Sequence, residues 1–351
     1  MSWVTALARP EIVALKPYEH AAWEPQLTRL HANELPWRVD EDESLAGLNR
    51  YPEPQAHALL ARLADLYGVP LESLLICRGS DEAIDLLIRT FCRAGHDAVM
   101  VCPPTFGMYA VAARIQGAQV LEVPLAAEVG FALDTAAVLQ RLTPAVKLVF
   151  LCSPNNPTGN TLSESAILEV ADAARGRAIV VVDEAYLEFS ERGSLARQLE
   201  RRPHLAVLRT LSKAHGLAGA RLGTLIADPQ LIALLRKVIA PYAVPQLVLE
   251  AVTAVLSPLH LRTLPQRIGQ LRAERARVQE RLARLPGIKA VLPSEANFVL
   301  VRFEDAALAL RRAAQAGIRV RDARGYAGLA DALRITIGTA EQNNELLRAW
   351  A

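Results

Sequence analysis

The sequence predicts an α/β fold: a large domain with a mostly parallel sheet flanked by helices, plus a small α+β domain. Short runs that are apolar on successive residues alternate with amphipathic helical stretches through the middle of the chain. Such runs are typical of strands buried on both faces, and helical connections between them favour parallel pairing. Near 241–245 the pattern changes to a long arginine-rich helical stretch followed by shorter segments. The 351 residues, 52% of them hydrophobic, are enough to bury both cores.

The predicted elements follow this order along the chain. The strands of the large domain are predicted at 73–77, 98–102, 147–152, 178–186 and 205–213. Helical spacing is clearest after the first strand, at Ile84, Leu87, Ile88 and Phe91. The small domain is predicted to contain helices at 261–285, at 305–317 and from Glu341 onward, and strands within 297–303, 317–322 and 333–338. We expect three regions: an N-terminal arm with part of the small domain at 1–45, the large domain at 46–245 and the small C-terminal domain at 246–351.

Composition excludes several classes of function. The formal net charge of +2, without a long block of like charge, predicts no nucleic-acid partner. No apolar run approaches the ~20 residues that span a bilayer, so we expect no membrane association. The cysteines have neither CxxC nor metal-ligand spacing and are Cys77, Cys92, Cys102 and Cys152. We therefore expect reduced core cysteines in a cytoplasmic protein without a metal.

One of only five lysines in the chain, Lys213, follows an apolar run in the stretch RTLSKAHGLAGARLG at 209–223. A charged lysine at the end of a buried strand is costly unless it is paired. Burial and cationic neighbours would lower the pKa of this lysine, giving an amine that can attack a carbonyl. The alternative is a lysine whose amino group reaches the surrounding solvent.

Polar residues follow two further apolar runs. Asp183 comes directly after three valines and needs a cationic partner, for which a protonated pyridine nitrogen would serve. Its alternative role is a helix N-cap or a structural salt bridge. Tyr186 could reach the same ring, and Asn156, in the loop SPNNPTG, could reach the phenolic oxygen of such a ring. The alternative for that loop is a plain turn.

The segment GSDEAI opens a helix and predicts a phosphate site. The backbone N–H groups of Gly79, Ser80 and Asp81 would surround the phosphate at the positive end of the helix. The carboxylates of Asp81 and Glu82 would then have to point away. The alternative is an ordinary helix cap.

Three other residues complete a site for a phosphorylated pyridine. Ser212 and Arg221 add a hydroxyl and a forked cation for the phosphate. Phe106, in PPTFGMY, offers a flat face to the ring, although core packing is its alternative role.

This order of residues, each at a strand end, resembles the fold type I aminotransferases that use pyridoxal 5′-phosphate, and most of all the histidinol-phosphate aminotransferase family. The resemblance covers nearly the whole chain. Its segments are LKPY, LHANELP, LNRYPEPQ, RGSDEAIDLLIRTFC, CPPTFGMY, CSPNNPTG, VVDEAYLEF, RTLSKAHGLAGARLG, KVIAPY, EANFVL, GIRVRD and LRITIGT. Two departures are Phe106, where the family commonly has tyrosine, and His31, where many members have asparagine.

The resemblance implies a role for each site residue. Lys213 would bond covalently to the cofactor, Asp183 would bind its ring nitrogen, and Asn156 and Tyr186 its phenolic oxygen. The phosphate would be held by Gly79, Ser80, Asp81, Ser212 and Arg221, with Phe106 stacked on the ring. Tyr51 would reach the phosphate of the neighbouring subunit's cofactor, which implies a homodimer with two shared active sites.

The resemblance also implies the substrates. Arg334 would bind the carboxylate of glutamate, and Arg321, Tyr18 and Tyr242 would face the distal phosphate of histidinol phosphate, with Asn33 also in the substrate site. The expected reaction, a step of histidine biosynthesis, transfers an amino group between L-glutamate and imidazole-acetol phosphate, giving L-histidinol phosphate and 2-oxoglutarate. The alternatives are an aromatic aminotransferase or a threonine-phosphate decarboxylase of the same fold, and an inactive or regulatory relative. A dehydrogenase is disfavoured because no GxGxxG follows a strand.

Overall fold

The computed structural model describes residues 3–19, 23–24 and 26–351. In this part of the chain the strands form one seven-stranded and one four-stranded sheet. The strands of the large sheet are β1 (Leu74–Cys77), β2 (Ala98–Val101), β3 (Gln119–Glu122), β4 (Val146–Cys152), β5 (Ile179–Asp183), β6 (Leu205–Thr210) and β7 (Gly223–Ala227). Those of the small sheet are β8 (Ile288–Val291), β9 (Phe298–Phe303), β10 (Arg321–Asp322) and β11 (Ala332–Thr336).

The helices surround the sheets or connect their strands. Their bounds are α1 (Trp3–Leu7), α2 (Pro10–Ala14), α3 (His57–Tyr67), α4 (Gly79–Phe91), α5 (Met108–Gln116), α6 (Thr135–Arg141), α7 (Glu164–Ala174), α8 (Pro229–Leu235), α9 (Gln246–Val255), α10 (Pro258–Leu282), α11 (Ala306–Gln315) and α12 (Ala340–Trp350). Short 3₁₀ turns lie at Leu71–Ser73, Ala127–Val129, Leu187–Phe189, Leu195–Gln198 and Ala218–Ala220.

The large sheet has the strand order β1-β7-β6-β5-β4-β2-β3. Every neighbouring pair from β6 to β3 is parallel, and β7 is antiparallel to both of its neighbours. The central strands are completely buried because helices cover both faces. Side chains of α3, α6, α7 and α9 pack on one face, and those of α1, α4, α5 and α8 on the other. This burial explains why the strands read as unbroken apolar runs.

The small sheet is antiparallel throughout, in the order β10-β11-β9-β8, and packs on α10, α11 and α12. Helix α10 connects the two cores. Leu261 packs against the core of the large sheet, and Val278 and Leu282 belong to the core of the small one. The position of this helix therefore influences where the small sheet lies relative to the large one.

The predicted fold class agrees with this architecture, and each predicted strand is present within a few residues of its expected bounds. β3, β7 and β8 were not predicted; β3 and β8 are short and half exposed, and β7 follows directly on the motif around Lys213. Beyond its two short helices, the chain before residue 56 has no regular element in the described residues, as expected. The boundaries at residues 45 and 245 stay predictions.

Among the described residues, no single helix combines the length and the apolar content needed to cross a bilayer. α9 and α10 meet these criteria only when taken together, as a pair bent by 70°.

Candidate active site

The polar residues predicted at strand ends come together because β4, β5 and β6 are parallel neighbours. Cys152, the last residue of β4, is in register with Asp183, the last residue of β5. β6 ends beside them at Thr210. Ligand sites of open parallel sheets form at this carboxyl edge. A cavity of about 310 Å³ opens there. The predicted residues that line it are Ser80, Asp81, Phe106, Asn156, Asp183, Tyr186, Ser212, Lys213, Arg221, Arg321 and Arg334.

Asp183 is a buried carboxylate at the floor of the cavity, with 3% of its surface exposed. Its Oδ1 accepts a hydrogen bond from the backbone N–H of Ala185 at 3.0 Å, and its Oδ2 accepts one from Tyr109 Oη at 2.7 Å. Burial raises the pKa of Asp183, and the Tyr109 hydroxyl opposes this effect. Within the described chain no lysine or arginine forms an ion pair with it, so the carboxylate can accept a cationic ligand atom.

Lys213 lies in the turn that follows β6 rather than in the strand itself, which corrects the predicted strand-end position. The backbone leaves the sheet at Thr210, and the lysine side chain is open to the solvent of the cavity. Its Nζ is 5.5 Å from the ring centroid of Tyr186. Desolvation lowers the pKa of Lys213, and the charge of Arg334 lowers it further, while Asp183 raises it. A larger neutral fraction makes this amine a better nucleophile.

The first turn of α4 forms one end of the cavity, where a phosphate site was predicted. Its N-cap, Arg78, makes no side-chain capping hydrogen bond to the backbone N–H groups of the first turn, within the residues described. Gly79 has φ +77°, and a Cβ there would lie 2.7 Å from Arg221 Nη2. A Cβ on Gly223, in β7, would lie 2.4 Å from the backbone nitrogen of Ser80. Both glycines are needed so that β7 and Arg221 can approach the helix end.

The two carboxylates in the first turn of this helix behave differently, and one prediction was wrong. Glu82 turns back and accepts hydrogen bonds from the N–H (2.6 Å) and Nε (2.8 Å) of Arg78, as expected. Asp81 does not point away: its Oδ2 is 3.2 Å from Arg221 Nη2, inside the cavity. The guanidinium attracts the carboxylate at this short distance. Ser212 Oγ is 3.5 Å from Arg221 Nη1.

Asn156 connects Tyr186 on the large domain with Arg334 on the small sheet. Its Nδ2 donates to Tyr186 Oη at 3.3 Å, and its Oδ1 accepts a hydrogen bond from Arg334 Nη1. The guanidinium carbon of Arg334 lies 5.0 Å from the ring centroid of Phe298. Arg334 Nε is buried without a hydrogen-bond partner among the described residues. The guanidinium therefore retains donor capacity for a ligand.

Arg321 and Arg334 face the same cavity from adjacent strands. They are directly opposite each other in the antiparallel register of β10 and β11. Like charges in this position repel each other, so an anion bound near both would reduce the repulsion.

Besides Gly79, which lies next to the lining residue Ser80, four predicted residues do not line the cavity of the single chain. The rings of Tyr51 and Tyr242 stack on each other with centroids 4.5 Å apart and an interplanar angle of 18°. Asn33 borders a separate groove with Tyr51, and Tyr18 is 74% exposed beside another groove. Their ligand roles stay predictions, as does the effect of His31, whose side chain is exposed.

Sequence reasoning missed Tyr109, which is fully buried and bonds Asp183 directly. It follows Phe106 by three positions in PPTFGMY, and its ring meets that of Phe106 edge-on at 5.5 Å. No spacing in PPTFGMY indicated this contact, because Phe106 lies before α5, which begins at Met108. The cavity lining also includes Cys152, Thr210 and Tyr326, which no sequence pattern singled out.

The residues present fit a phosphorylated pyridine. The uncapped start of α4 with Arg221 and Ser212 could hold the phosphate, and Asp183 could hold a protonated ring nitrogen. The Asn156 and Tyr186 pair could bind a ring oxygen. The arrangement can activate an amine beside a carbonyl compound and bind anionic substrates.

The sequence profile of the family "Aminotransferase class I and II" matches residues 31–349. The chain belongs to this aminotransferase family.

Individual relatives carry a narrower name. The chain is 52% identical over 322 residues, 91% of this chain and 88% of the relative, to the histidinol-phosphate aminotransferase of Xanthomonas euvesicatoria pv. vesicatoria (strain 85-10). It is 49% identical over 350 residues, 99% of this chain and 96% of the relative, to that of Stenotrophomonas maltophilia (strain R551-3). Among solved structures, the histidinol-phosphate aminotransferase from Sinorhizobium meliloti, in complex with pyridoxal-5′-phosphate, matches with a TM-score of 0.76 at 26% identity, covering 86% of this chain and 82% of that chain. The predicted fold class and family resemblance are confirmed.

Proposed function

We propose that this protein is a pyridoxal 5′-phosphate-dependent histidinol-phosphate aminotransferase. It transfers an amino group reversibly between L-glutamate and imidazole-acetol phosphate, giving L-histidinol phosphate and 2-oxoglutarate. The observation that carries the proposal is that one cavity brings together an amine, a buried carboxylate and two arginines that are paired directly across two strands. These residues are Lys213, Asp183, Arg321 and Arg334. Relatives about half identical over most of the chain, named for this reaction, support it.

The residues of the chain have separate roles in cofactor binding and proton transfer. Pyridoxal phosphate, when bound, supplies a carbonyl for the amine and an electron-withdrawing ring. Lys213 Nζ would hold the cofactor, and its free amine would remove the proton from the substrate α-carbon. Asp183 would hold the ring nitrogen and favour its protonated form. The start of α4, with Ser212 and Arg221, holds the phosphate.

The substrates are distinguished by their anionic groups. Arg334 binds the α-carboxylate of glutamate through its guanidinium, which is oriented by Asn156 and by the ring of Phe298. Histidinol phosphate has no carboxylate, and its distal phosphate binds Arg321, which is exposed at the cavity. Two arginines side by side also accommodate the two carboxylates of glutamate.

A steady-state comparison of amino donors tests the proposed reaction. Histidinol phosphate, phenylalanine, tyrosine and aspartate are each supplied with 2-oxoglutarate, and carbon dioxide release from threonine phosphate is measured in parallel. We expect the highest kcat/KM with histidinol phosphate. A higher value with an aromatic amino acid, or carbon dioxide release without amino transfer, would establish one of the alternative activities.

Lys213→Ala tests the assignment of the catalytic lysine. We expect no detectable transamination, and borohydride reduction of the wild-type holoenzyme should label only the peptide that contains Lys213. Lys289→Ala is the matched control, because Lys289 is an exposed lysine paired with Asp331 at 3.3 Å on the small sheet. Label on another peptide, or full activity of Lys213→Ala, would contradict the assignment.

We further propose a homodimer in which each subunit contributes Tyr51 to the other's active site. Large apolar side chains are exposed throughout 27–51, which supports burial of this segment by a second copy. They are Leu27, Leu30, Leu35, Trp37, Val39, Leu45, Leu48 and Tyr51.

Mixing two impaired variants tests the shared site. Tyr51→Ala and Lys213→Ala subunits are unfolded together and refolded. Half of the dimers would be hybrids with one intact site each, so activity should return to about a quarter of the wild-type value. No recovery in dimers that form normally would refute the shared site.

Cytoplasmic localisation, proposed because all four cysteines are free and buried, is tested by cell fractionation.

A further inference from the structure

Two histidines that do not line the cavity meet each other, and one of them, His215, follows Lys213 by two positions in the chain. His215 Nδ1 is 3.2 Å from His260 Nε2, and the ring centroids are 5.4 Å apart at an interplanar angle of 40°. His215 is 5% exposed, and His260 is half-buried. We call His215 and His260 the histidine pair.

The position of His215 is coupled to that of Lys213 by a tight turn. The N–H of Gly216 donates to the carbonyl of Lys213 at 3.2 Å, and the N–H of Leu217 donates to the carbonyl of Leu211 at 3.1 Å. These two hydrogen bonds fold residues 211–217 into a tight turn. A shift of the His215 ring therefore moves the backbone of Lys213.

The other partner belongs to the helix that connects the two cores. His260 lies in the first turn of α10, where its N–H donates to the N-cap Ser257 Oγ at 3.3 Å. Further along, α10 packs into the core of the small sheet, which carries Arg321 and Arg334. The histidine pair therefore joins the lysine turn to the helix on which the substrate-binding arginines depend.

The bond between two imidazoles depends on their proton count. One facing nitrogen must carry a hydrogen and the other must be bare, so the neutral and singly protonated pairs can bond, while the doubly protonated pair repels. The charged groups acting on His215 are Glu188, which favours its protonation, and Arg209, which opposes it. Arg267 opposes protonation of His260. Burial is the main cause that lowers the pKa of each histidine, so the bonded pair persists at neutral pH.

We propose that His215 and His260 are positioning residues, and that the hydrogen bond between them sets the distance between Lys213 and the substrate-binding arginines. Protonation of both histidines breaks this hydrogen bond. The kinetic consequence rests on the proposed function. Release should weaken the binding of anionic substrates to Arg334 and Arg321 more than it weakens cofactor binding, because the cofactor residues lie almost entirely on the large domain.

The first experiment observes the pair directly, whatever the reaction. The chain has seven histidines, and ¹⁵N-histidine labelling of the wild-type protein reports the protonation of each ring. We expect His215 and His260 to titrate together, at a pH below the ordinary histidine value, with His260→Gln removing this coupling. Two independent titrations near the ordinary histidine value would overturn the proposal.

The second experiment separates KM from kcat in four holoenzymes: wild type, His260→Leu, His260→Gln and the control His96→Ala. His260→Leu loses the bond, so KM for glutamate should rise about fivefold, the equivalent of one net hydrogen bond, with cofactor affinity unchanged. His260→Gln can keep the bond but cannot titrate, so its KM at neutral pH should equal that of the wild type and rise less on acidification. His96 is exposed, and its loss should change nothing.

The outcomes separate this proposal from the proposed function. Equal KM values for His260→Leu and wild type, or an acid response of His260→Gln identical to that of the wild type, would overturn the positioning role. Absence of transamination in the wild type at every pH would instead refute the proposed function, while the ¹⁵N titration would still decide whether the pair shares its proton.

Discussion

Tyr109 and Asp183 are joined by a buried hydrogen bond in which Tyr109 Oη donates to Asp183 Oδ2 at 2.7 Å. The tyrosine ring is stacked on Phe150 at 4.7 Å with an interplanar angle of 10°, which fixes its orientation. Burial raises the pKa of Tyr109 far above its ordinary value, so the hydroxyl keeps its proton. Burial raises the pKa of Asp183, and the neutral donor opposes this effect by favouring the charged carboxylate that a cationic ligand would need.

Tyr109→Phe should weaken cofactor binding. The change removes the hydroxyl but preserves the ring, and a hydrogen bond to a charged group contributes about 1.5–3 kcal/mol, equivalent to about tenfold or more in affinity. Equilibrium dialysis of the apoprotein with pyridoxal phosphate measures the change. Tyr67→Phe is the control, because it removes a tyrosine hydroxyl elsewhere in the large domain. Equal affinities of Tyr109→Phe and wild type would show that the donor does not support Asp183.

The arginines opposite each other on β10 and β11 should separate the two substrates. Arg321→Ala should raise KM for histidinol phosphate at least about tenfold, because the phosphate loses a charge-assisted partner. Arg334→Ala should affect glutamate more than histidinol phosphate. Steady-state kinetics and the cofactor absorbance of each holoenzyme are measured together. An unchanged KM for histidinol phosphate in Arg321→Ala would remove this residue from the substrate site.

Most residues of the candidate site could be predicted from the sequence, because each lies at or near the end of a recognisable apolar run. Asp183 and Asn156 each follow a run of buried residues, and parallel neighbours bring such ends to one edge. Arg334 in LRITIG was assigned from its motif, and the structure places it at the cavity.

What could not be predicted depends on tertiary contacts. Tyr109 bonds Asp183 only because α5 docks beside β4, a packing that no spacing in PPTFGMY specifies. The opposition of Arg321 and Arg334 depends on the pairing register of two strands separated by a nine-residue segment, 323–331. The Asp81–Arg221 ion pair joins residues far apart in the chain and reverses the expected direction of a side chain.

Gly79→Ala should impair phosphate binding more than it impairs folding. The residue has φ +77°, where an added Cβ costs about 1–2 kcal/mol, and that Cβ would lie 2.7 Å from Arg221 Nη2. The flexible guanidinium would move away and lose its place at the start of α4. The control is Gly68→Ala, at φ +64° with nothing within 4 Å of the added Cβ.

Thermal unfolding and the affinity for pyridoxal phosphate are measured for both glycine variants. We expect both variants to lose a similar amount of thermal stability. Only Gly79→Ala should bind pyridoxal phosphate more weakly. Equal cofactor affinities in the two variants would show that the position of Arg221 does not depend on Gly79.

The pKa of Lys213 should respond in opposite directions to its two charged neighbours. Partial desolvation at the cavity lowers this pKa most, Arg334 lowers it further and Asp183 raises it. Arg334→Gln should therefore raise the pKa of Lys213 towards the ordinary lysine value, and Asp183→Asn should lower it. In the apoprotein, the rate at which an amine reagent modifies the Lys213 peptide is followed against pH by mass spectrometry. Because the folded state of the wild type releases this proton earlier than the unfolded chain, its stability should also rise with pH between the lowered and the ordinary lysine pKa. Identical midpoints of modification in the wild type and both variants would mean that neither charge acts on the amine.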